Sequence, residues 1–369
     1  MRVLSLYFTR LFVARFALVM FGMVAVLLSF ELLERGDNVL SASNGDPTSL
    51  VRYALWRLPD FVSHLLPIAT LLGAIMTLGE LARHHELEVI WSTGTSPARL
   101  IFGLLPISFL LVGLQFAVDN WGVPPAMEQV RELGMDSFES SRLGDDSGNV
   151  WLRSGADLLR IPTESARSGE LRGIVIFRRD ESGALIEHLS AAGAEPTEDG
   201  WLLREVRQYD ALTQRSNRIP TLFWAGRLDL DQLIQLSVEP RELNLAEMRN
   251  LAANDAYGQR RVEVYETWFH QRLAAALAPL LMMTLVVSLG QYLRARRTLA
   301  WIFAAAVAIS FAYLVFARAT LAMGELAVLP PWLAAWGPVI AFGSLVGSVL
   351  IFRDSGNRPP ARALLSAGN

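Results

Sequence analysis

Six long runs of this chain carry almost no charge, and about 20 apolar residues are what a helix needs to cross roughly 30 Å of hydrocarbon. They fall at residues 11–30, 61–79, 100–118, 273–291, 299–317 and 326–352. Only Arg15 interrupts the first, close enough to one end for its side chain to reach the interface. Pro330, Pro331 and Pro338 predict an irregular start to the last. One such run could be a buried core helix; six in 369 residues predict a polytopic membrane protein. The first run is too long for a signal-peptide core. Glu31-Leu32-Leu33-Glu34-Arg35 follows it where small residues would mark a cleavage site, so it is read as a retained helix.

Arginine in the short flanks sets the expected orientation. Arg2, Arg10 and Arg15 lie at the N-terminus, Arg294, Arg296 and Arg297 between the fourth and fifth runs, and Arg353, Arg358 and Arg362 at the C-terminus. Both termini are therefore expected in the cytoplasm and the region between the third and fourth runs outside it. Arg35, Arg52 and Arg57 run against this rule, since they fall on the outer side.

Between residues 126 and 260 the composition turns polar and the period changes from helix to strand. Short strands are predicted at 150–153, 157–161, 171–178, 184–190, 201–209 and 219–230, with turn residues Asp180-Glu181-Ser182-Gly183 and Glu198-Asp199-Gly200 between them. Alternation is imperfect across 201–209. Many short strands at regular spacing predict a sandwich, jelly roll or open barrel. Residues 243–253 then read as a polar helical connector. The expected domains are three spans in 1–125, a β domain in 126–260, three spans in 261–354 and a cytoplasmic tail in 355–369.

Composition removes several chemistries. There is no cysteine, which excludes disulfides and thiolate sites and suits an oxidising compartment. All 33 basic residues are arginine, so the lysine of a phosphate-binding Walker loop is missing. His188 is the only histidine of the β domain, and Asp145-Asp146, Asp229 and Asp231 read as turn formers. No catalytic residue, metal site or nucleic-acid surface is expected.

The connection between the second and third runs is the most informative segment: Leu78-Gly79-Glu80-Leu81-Ala82-Arg83-His84-His85-Glu86-Leu87-Glu88-Val89-Ile90-Trp91-Ser92-Thr93-Gly94-Thr95-Ser96-Pro97. His85-Glu86 begins a zinc-protease pattern, but Val89 stands where the second histidine is required. His84 and His85 are more simply interfacial polar residues. Residues 86–91 can instead form a short amphipathic helix, with Leu87, Ile90 and Trp91 on one face and Glu86 and Glu88 beside it. Gly94 would end that helix, and Ser96-Pro97 would start the third span. A soluble motor could grip such a knob; an ordinary interfacial turn explains the same residues equally well.

Here the sequence resembles the lipopolysaccharide-export permeases of the LptF/LptG type. The resemblance rests on Leu71-Leu72-Gly73-Ala74, Leu78-Gly79-Glu80-Leu81-Ala82, Glu86-Leu87-Glu88-Val89-Ile90 and Gly94, preceded by Pro59 and Pro67. In motif it covers residues 59–97, and in plan the whole chain: three helices, a periplasmic β-jelly-roll domain, three helices. Ala82-Arg83 and the layout lean towards LptG, Met76-Thr77-Leu78-Gly79 the other way. The resemblance implies a heterodimer with a second permease subunit in the inner membrane, on a dimeric cytoplasmic ATPase that carries the ATP. Residues 86–94 would be the coupling helix. Glu86 would meet an arginine of the ATPase, Leu87, Val89 and Ile90 would fill its groove, and Glu88, Trp91 and Gly94 would complete the contact. Lipopolysaccharide would enter from the outer leaflet near the first and fifth helices. Its acyl chains would pass into the jelly roll and on to a single-span periplasmic bridging protein of similar fold.

The departures concern charge. The family usually carries lysines after the first helix, where this chain has Glu31, Glu34, Arg35 and Asp37, and Asp60 stands where some members have lysine. Arg35, Arg57, Arg131 and Arg318 could bind head-group phosphates instead, since guanidinium pairs well with phosphate. Snorkelling at the interface is the simpler reading for each singly. The head group could therefore differ in phosphorylation. Trp91 is bulkier than the residues common at its position. Two other classes fit parts of the pattern: a signalling protein relaying a periplasmic sensor domain, and a membrane glycolipid transferase. The first would have no central cavity; the second would need an interfacial cluster of acids and bases beyond His84-His85-Glu86.

Overall fold

A computed structural model describes residues 2–86, 89, 92, 97–133, 149–154, 157–162, 165, 171–179, 184–197, 200–211, 215–225, 238–253, 261–290 and 296–356. In chain order the helices before the sheet are α1 (Arg2–Ala42), α2 (Thr48–Arg83), α3 (Pro97–Ala117), a π-helical turn Val118–Gly122 and α4 (Val123–Glu132). The strands are β1 (Asn149–Ser154), β2 (Asp157–Pro162), β3 (Leu171–Arg179), β4 (Leu185–Thr197), β5 (Gly200–Asp210) and β6 (Arg215–Trp224). After them come α5 (Leu245–Ala253), α6 (Val262–Ala276), α7 (Ala278–Gly290), α8 (Arg296–Glu325) and α9 (Pro331–Gly356). Two compact units result, Met1–Met135 with His270–Asn369, and Asp136–Phe269.

Five described helices are long and apolar enough to cross a membrane: Ser5–Ala42, Thr48–Arg83, Ile101–Arg131, Val262–Gly290 and Phe303–Glu325. The sixth expected span is α9, whose 26 residues reach about 39 Å at the helical rise per residue. Its irregular lead-in is a turn after Glu325, with Ala327 at φ 56°, and Pro331 opens the helix where its missing N–H costs nothing. The fourth span extends well before residue 273, since α6 starts at Val262. Residues 123–132, at the change to polar composition, are helical and continue the third span.

Helices α2 and α7 lie mostly inside the helical unit; α1 and α8 turn most of their apolar side chains outwards. Leu18, Phe21, Phe30 and Leu33 of α1 and Trp301 and Phe311 of α8 are exposed, as helices facing lipid or another membrane subunit require. The inner core joins Phe8 and Phe12 of α1, Leu66, Leu71 and Leu78 of α2, Leu104 of α3, and Met282 and Met283 of α7.

Between lipid-soluble helices, small residues allow backbones to approach. Gly73 does this for the α1–α2 hairpin: a Cβ there would lie 3.0 Å from Phe16 Cα and 3.1 Å from its backbone nitrogen. The hairpin turn has Asn44 at φ 54° and Gly45 at φ 82°, which stops α1. Asp46 then accepts Thr48 Oγ1–H at 2.6 Å and Thr48 N–H at 2.9 Å. These bonds from Thr48 hold the Asp46 carboxyl below the usual carboxylate range, so the contact is intact at neutral pH and lost only as pH falls through that lowered value.

In the second unit the six described strands pair antiparallel in sequence order, β1-β2-β3-β4-β5-β6. Of the architectures that the strand pattern allows, the described strands fit an open sheet with strong curl; the second sheet of a jelly roll is not among them. Trp224 of β6 donates its indole N–H to Asp157 of β2 at 2.8 Å although three strands intervene. The imperfect alternation of β5 has its cause at Glu205, which is left-handed at φ 52°: Trp201 and Leu203 are buried before it and Val206 after it. Helix α5 is less polar in its packing than its sequence suggests. Met248 and Leu251 are buried against Leu159, Ile174, Leu203 and Trp224 of the sheet. Asn244 and Glu247 cap its start reciprocally, Asn244 N–H donating to Glu247 Oε2 at 2.7 Å and Glu247 N–H to Asn244 Oδ1 at 2.9 Å.

Replacing Gly73 with leucine should lower stability in detergent by about 1–3 kcal/mol, the usual cost of overpacking. Gly113→Ala, whose added Cβ meets no atom within 4 Å outside its own stretch of helix backbone, should not lower it. Thermal melting followed by size-exclusion of the solubilised chain checks both.

Candidate functional site

The α1–α2 hairpin is tied at both ends by charged side chains. At the end holding the N-terminus, Glu80 of α2 faces Arg15 of α1 at 3.7 Å, and also meets Arg83 at 2.7 Å and His84 at 3.2 Å. Helix α2 stops there: Arg83 is its last residue, and His85 takes a left-handed backbone at φ 59°. Helical geometry resumes beyond the break, at Glu86, Val89 and Ser92, with Val89 N–H donating to His85 O at 3.3 Å. Tyr7 of α1 donates its hydroxyl to Glu86 Oε1 at 3.3 Å. Val89 is exposed. Leu87, Glu88, Ile90, Trp91 and Gly94 lie outside the described residues.

At the turn end the polar groups are more deeply placed. Glu31 of α1 receives the Tyr53 hydroxyl at 2.7 Å, Arg57 Nη2 at 2.9 Å and Arg35 Nε at 3.6 Å, all on one carboxylate oxygen. Arg57 Nη1 lies 3.4 Å from Asp60 Oδ2 and 3.7 Å from Met127 Sδ of α4, and the guanidinium carbon is 5.3 Å from the centre of the Phe61 ring. Tyr53, Arg57 and Asp60 are all buried. An arginine out of water needs its charge balanced and its donors used. Here two carboxylates from two helices balance it.

Of the four arginines considered for head-group binding, Arg35 and Arg57 thus meet at Glu31. Arg131 is half-buried on α4, the helix that brings Met127 to Arg57. Arg318 is exposed on α8 and takes no part in the ion pairs among the described residues.

A second polar knot was not anticipated from the sequence. Pro67 has no N–H, so the Ser63 carbonyl four residues earlier loses its partner within α2. Gln115 of α3 replaces it, its Nε2 donating to Ser63 O at 3.1 Å and to Asp119 Oδ2 at 2.9 Å, while Ser63 Oγ donates to Asp119. Asp119 lies in the π-helical turn that joins α3 to α4. The knot thereby fixes where α4, with Met127, leaves the third span. The signal was present: ionisable groups at the rim of an apolar run are rarely incidental.

Gln115→Leu should cost about 1–3 kcal/mol by stranding the Ser63 carbonyl. Adding Pro67→Ala, which restores an N–H to that carbonyl, should shrink the penalty; a double-mutant cycle on denaturant midpoints measures the coupling.

The family model described as lipopolysaccharide export system permease LptF/LptG matches residues 6–353. The lipopolysaccharide export system permease protein LptG of Escherichia coli (strain K12) is 24% identical over 221 residues, which cover 58% of this chain and 61% of that protein. LptG of Haemophilus influenzae is 23% identical over 238 residues, covering 63% of this chain and 65% of that protein. The aligned part therefore spans just under two thirds of the length of these curated relatives. With the family match running through both groups of spans and the sheet between them, the chain belongs to the LptF/LptG family of lipopolysaccharide export permeases, and these curated relatives bear the name LptG.

Proposed function

We propose that this chain is the LptG-type permease subunit of an ABC exporter. It extracts lipopolysaccharide from the outer leaflet of the inner membrane and passes it towards the outer membrane through a periplasmic bridging protein. One observation carries the reading: the family match covers residues 6–353 without being confined to the apolar segments. Arginine at both termini and between the fourth and fifth spans supports a cytoplasmic placement for them and a periplasmic one for the sheet.

The chain supplies passage and leverage, and a separate dimeric ATPase hydrolyses ATP, in keeping with the absence of lysine. A second permease subunit covers the outward apolar faces. Residues 86–94 are the coupling segment, in which Glu86, Leu87, Glu88, Val89, Ile90, Trp91 and Gly94 meet the ATPase. The break at His84–His85 separates that segment from α2, and Tyr7 ties it to α1. Arg35, Arg57, Arg131 and Arg318 supply positive charge for the substrate head group. The ATPase can do work on the substrate only by favouring one arrangement of the spans over another.

Glu86→Arg should abolish export while leaving the chain in the membrane in normal amount. Reversing a charge paired across an interface costs about 2–5 kcal/mol, enough to weaken ATPase association more than tenfold. Surface lipopolysaccharide and co-purification of the ATPase are the readouts. Export that continues unchanged in this variant would overturn the coupling role.

A further inference from the structure

The donors around Glu31 have the arrangement of an anion site. A hydroxyl from Tyr53, one guanidinium nitrogen from Arg57 and one from Arg35 converge on a single oxygen, at 2.7, 2.9 and 3.6 Å. That oxygen belongs to a carboxylate of the chain itself. The donors differ in how firmly they are held. Tyr53 and Arg57 stand on the inner helix α2 and are 0% and 7% exposed, with Phe61, Met127 and Asp60 packed around the guanidinium. Glu31 stands on the outer helix α1 and is partly exposed. Rotation about its own side-chain bonds can carry it to solvent without moving either helix.

Departure of Glu31 alone would leave Arg57 with Asp60 as its remaining ion-pair partner. Breaking a buried pair leaves an uncompensated charge out of water, so the state is accessible only if another anion arrives. The position is one where such an anion is found. Glu31 directly follows the first apolar run and Asp60 directly precedes the second, which puts the cluster at the margin of the hydrocarbon, level with lipid head groups. Arg57 also has a donor in reserve, since its buried Nε makes no hydrogen bond among the described residues. A phosphate monoester offers three terminal oxygens and up to two charges, against one charge for a carboxylate or a phosphodiester.

Resting on the permease reading above, we propose that Tyr53, Arg57 and Arg35 form a phosphate site that Glu31 fills in the resting chain, and that a phosphate monoester of the glycolipid head group displaces it. Glu31 is then an internal competitor. It keeps the site closed to weakly bound anions and is released by the substrate.

The sign of one substitution separates this from a structural ion pair. In the full-length chain in phosphatidylcholine nanodiscs, Glu31→Gln should bind bisphosphorylated lipid A about tenfold more tightly than wild type, because the competing charge is gone. Arg57→Gln should erase the preference for phosphorylated over dephosphorylated lipid A, and Tyr53→Phe should reduce it. Taking that preference as a ratio within each variant cancels any loss of folded protein. Inorganic phosphate and phosphatidylglycerol serve as competitors. Inorganic phosphate competing in Glu31→Gln more than in wild type supports the site; phosphatidylglycerol competing as well as lipid A overturns the monoester assignment. A ratio unchanged or lowered by Glu31→Gln overturns the exchange and leaves the permease reading standing. Failure of every variant and wild type to bind either form of lipid A would instead count against that reading.

Discussion

A guanidinium at the margin of a bilayer must be neutralised, and the way Arg57 meets that requirement organises the turn end of the first two helices. Asp60 comes from one turn further along the same helix, Glu31 from the neighbouring helix, and Met127 from the helix that ends the third span. No single helix could have satisfied it. The electrostatic requirement therefore acts as a packing instruction, holding α1, α2 and α4 together where lipid offers no hydrophobic force between them. Val39, Tyr53 and Val130 add an apolar cluster from the same three helices.

The middle of the helical unit follows a different rule. Gly73 lets α1 and α2 touch backbone to backbone, and Pro67 opens a carbonyl that α3 must close through Gln115. Two residues that weaken a helix in water thus become points of attachment in the membrane, where an unpaired carbonyl is too costly to leave. In the second unit the sheet covers its apolar face with α5, so residues that looked like a spacer belong to the core.

What could be read from the sequence was what local rules decide. Apolar run length locates the spans and alternation the strands, and among the described residues both hold with shifts at their ends; residues 226–230 of the last expected strand lie outside them. Other features needed the chain to be folded. The phase change in β5 depends on one left-handed residue, Glu205, whose identity gives no warning of it. The partnership of Glu31 with Arg57 depends on an antiparallel hairpin bringing level two residues that are far apart in sequence. Gln115 is a polar residue in an apolar run, and its purpose is set by a proline in another helix. Glu31 and Asp60 stand in the sequence as acids at the ends of two apolar runs, and only the folded chain shows that both neutralise Arg57.

The break after Arg83 has a mechanical meaning. A continuous helix would bend or twist as one rod, and a load at its tip would be felt along α2 alone. Here the left-handed His85 interrupts the rod, and the Tyr7 hydroxyl gives Glu86 a second point of attachment on α1. Glu80, paired with Arg15 just behind the break, ties the two rods together. A load at Glu86 would therefore be shared between an inner helix and one that faces outwards, so that the wall and the centre of the bundle would take it up together.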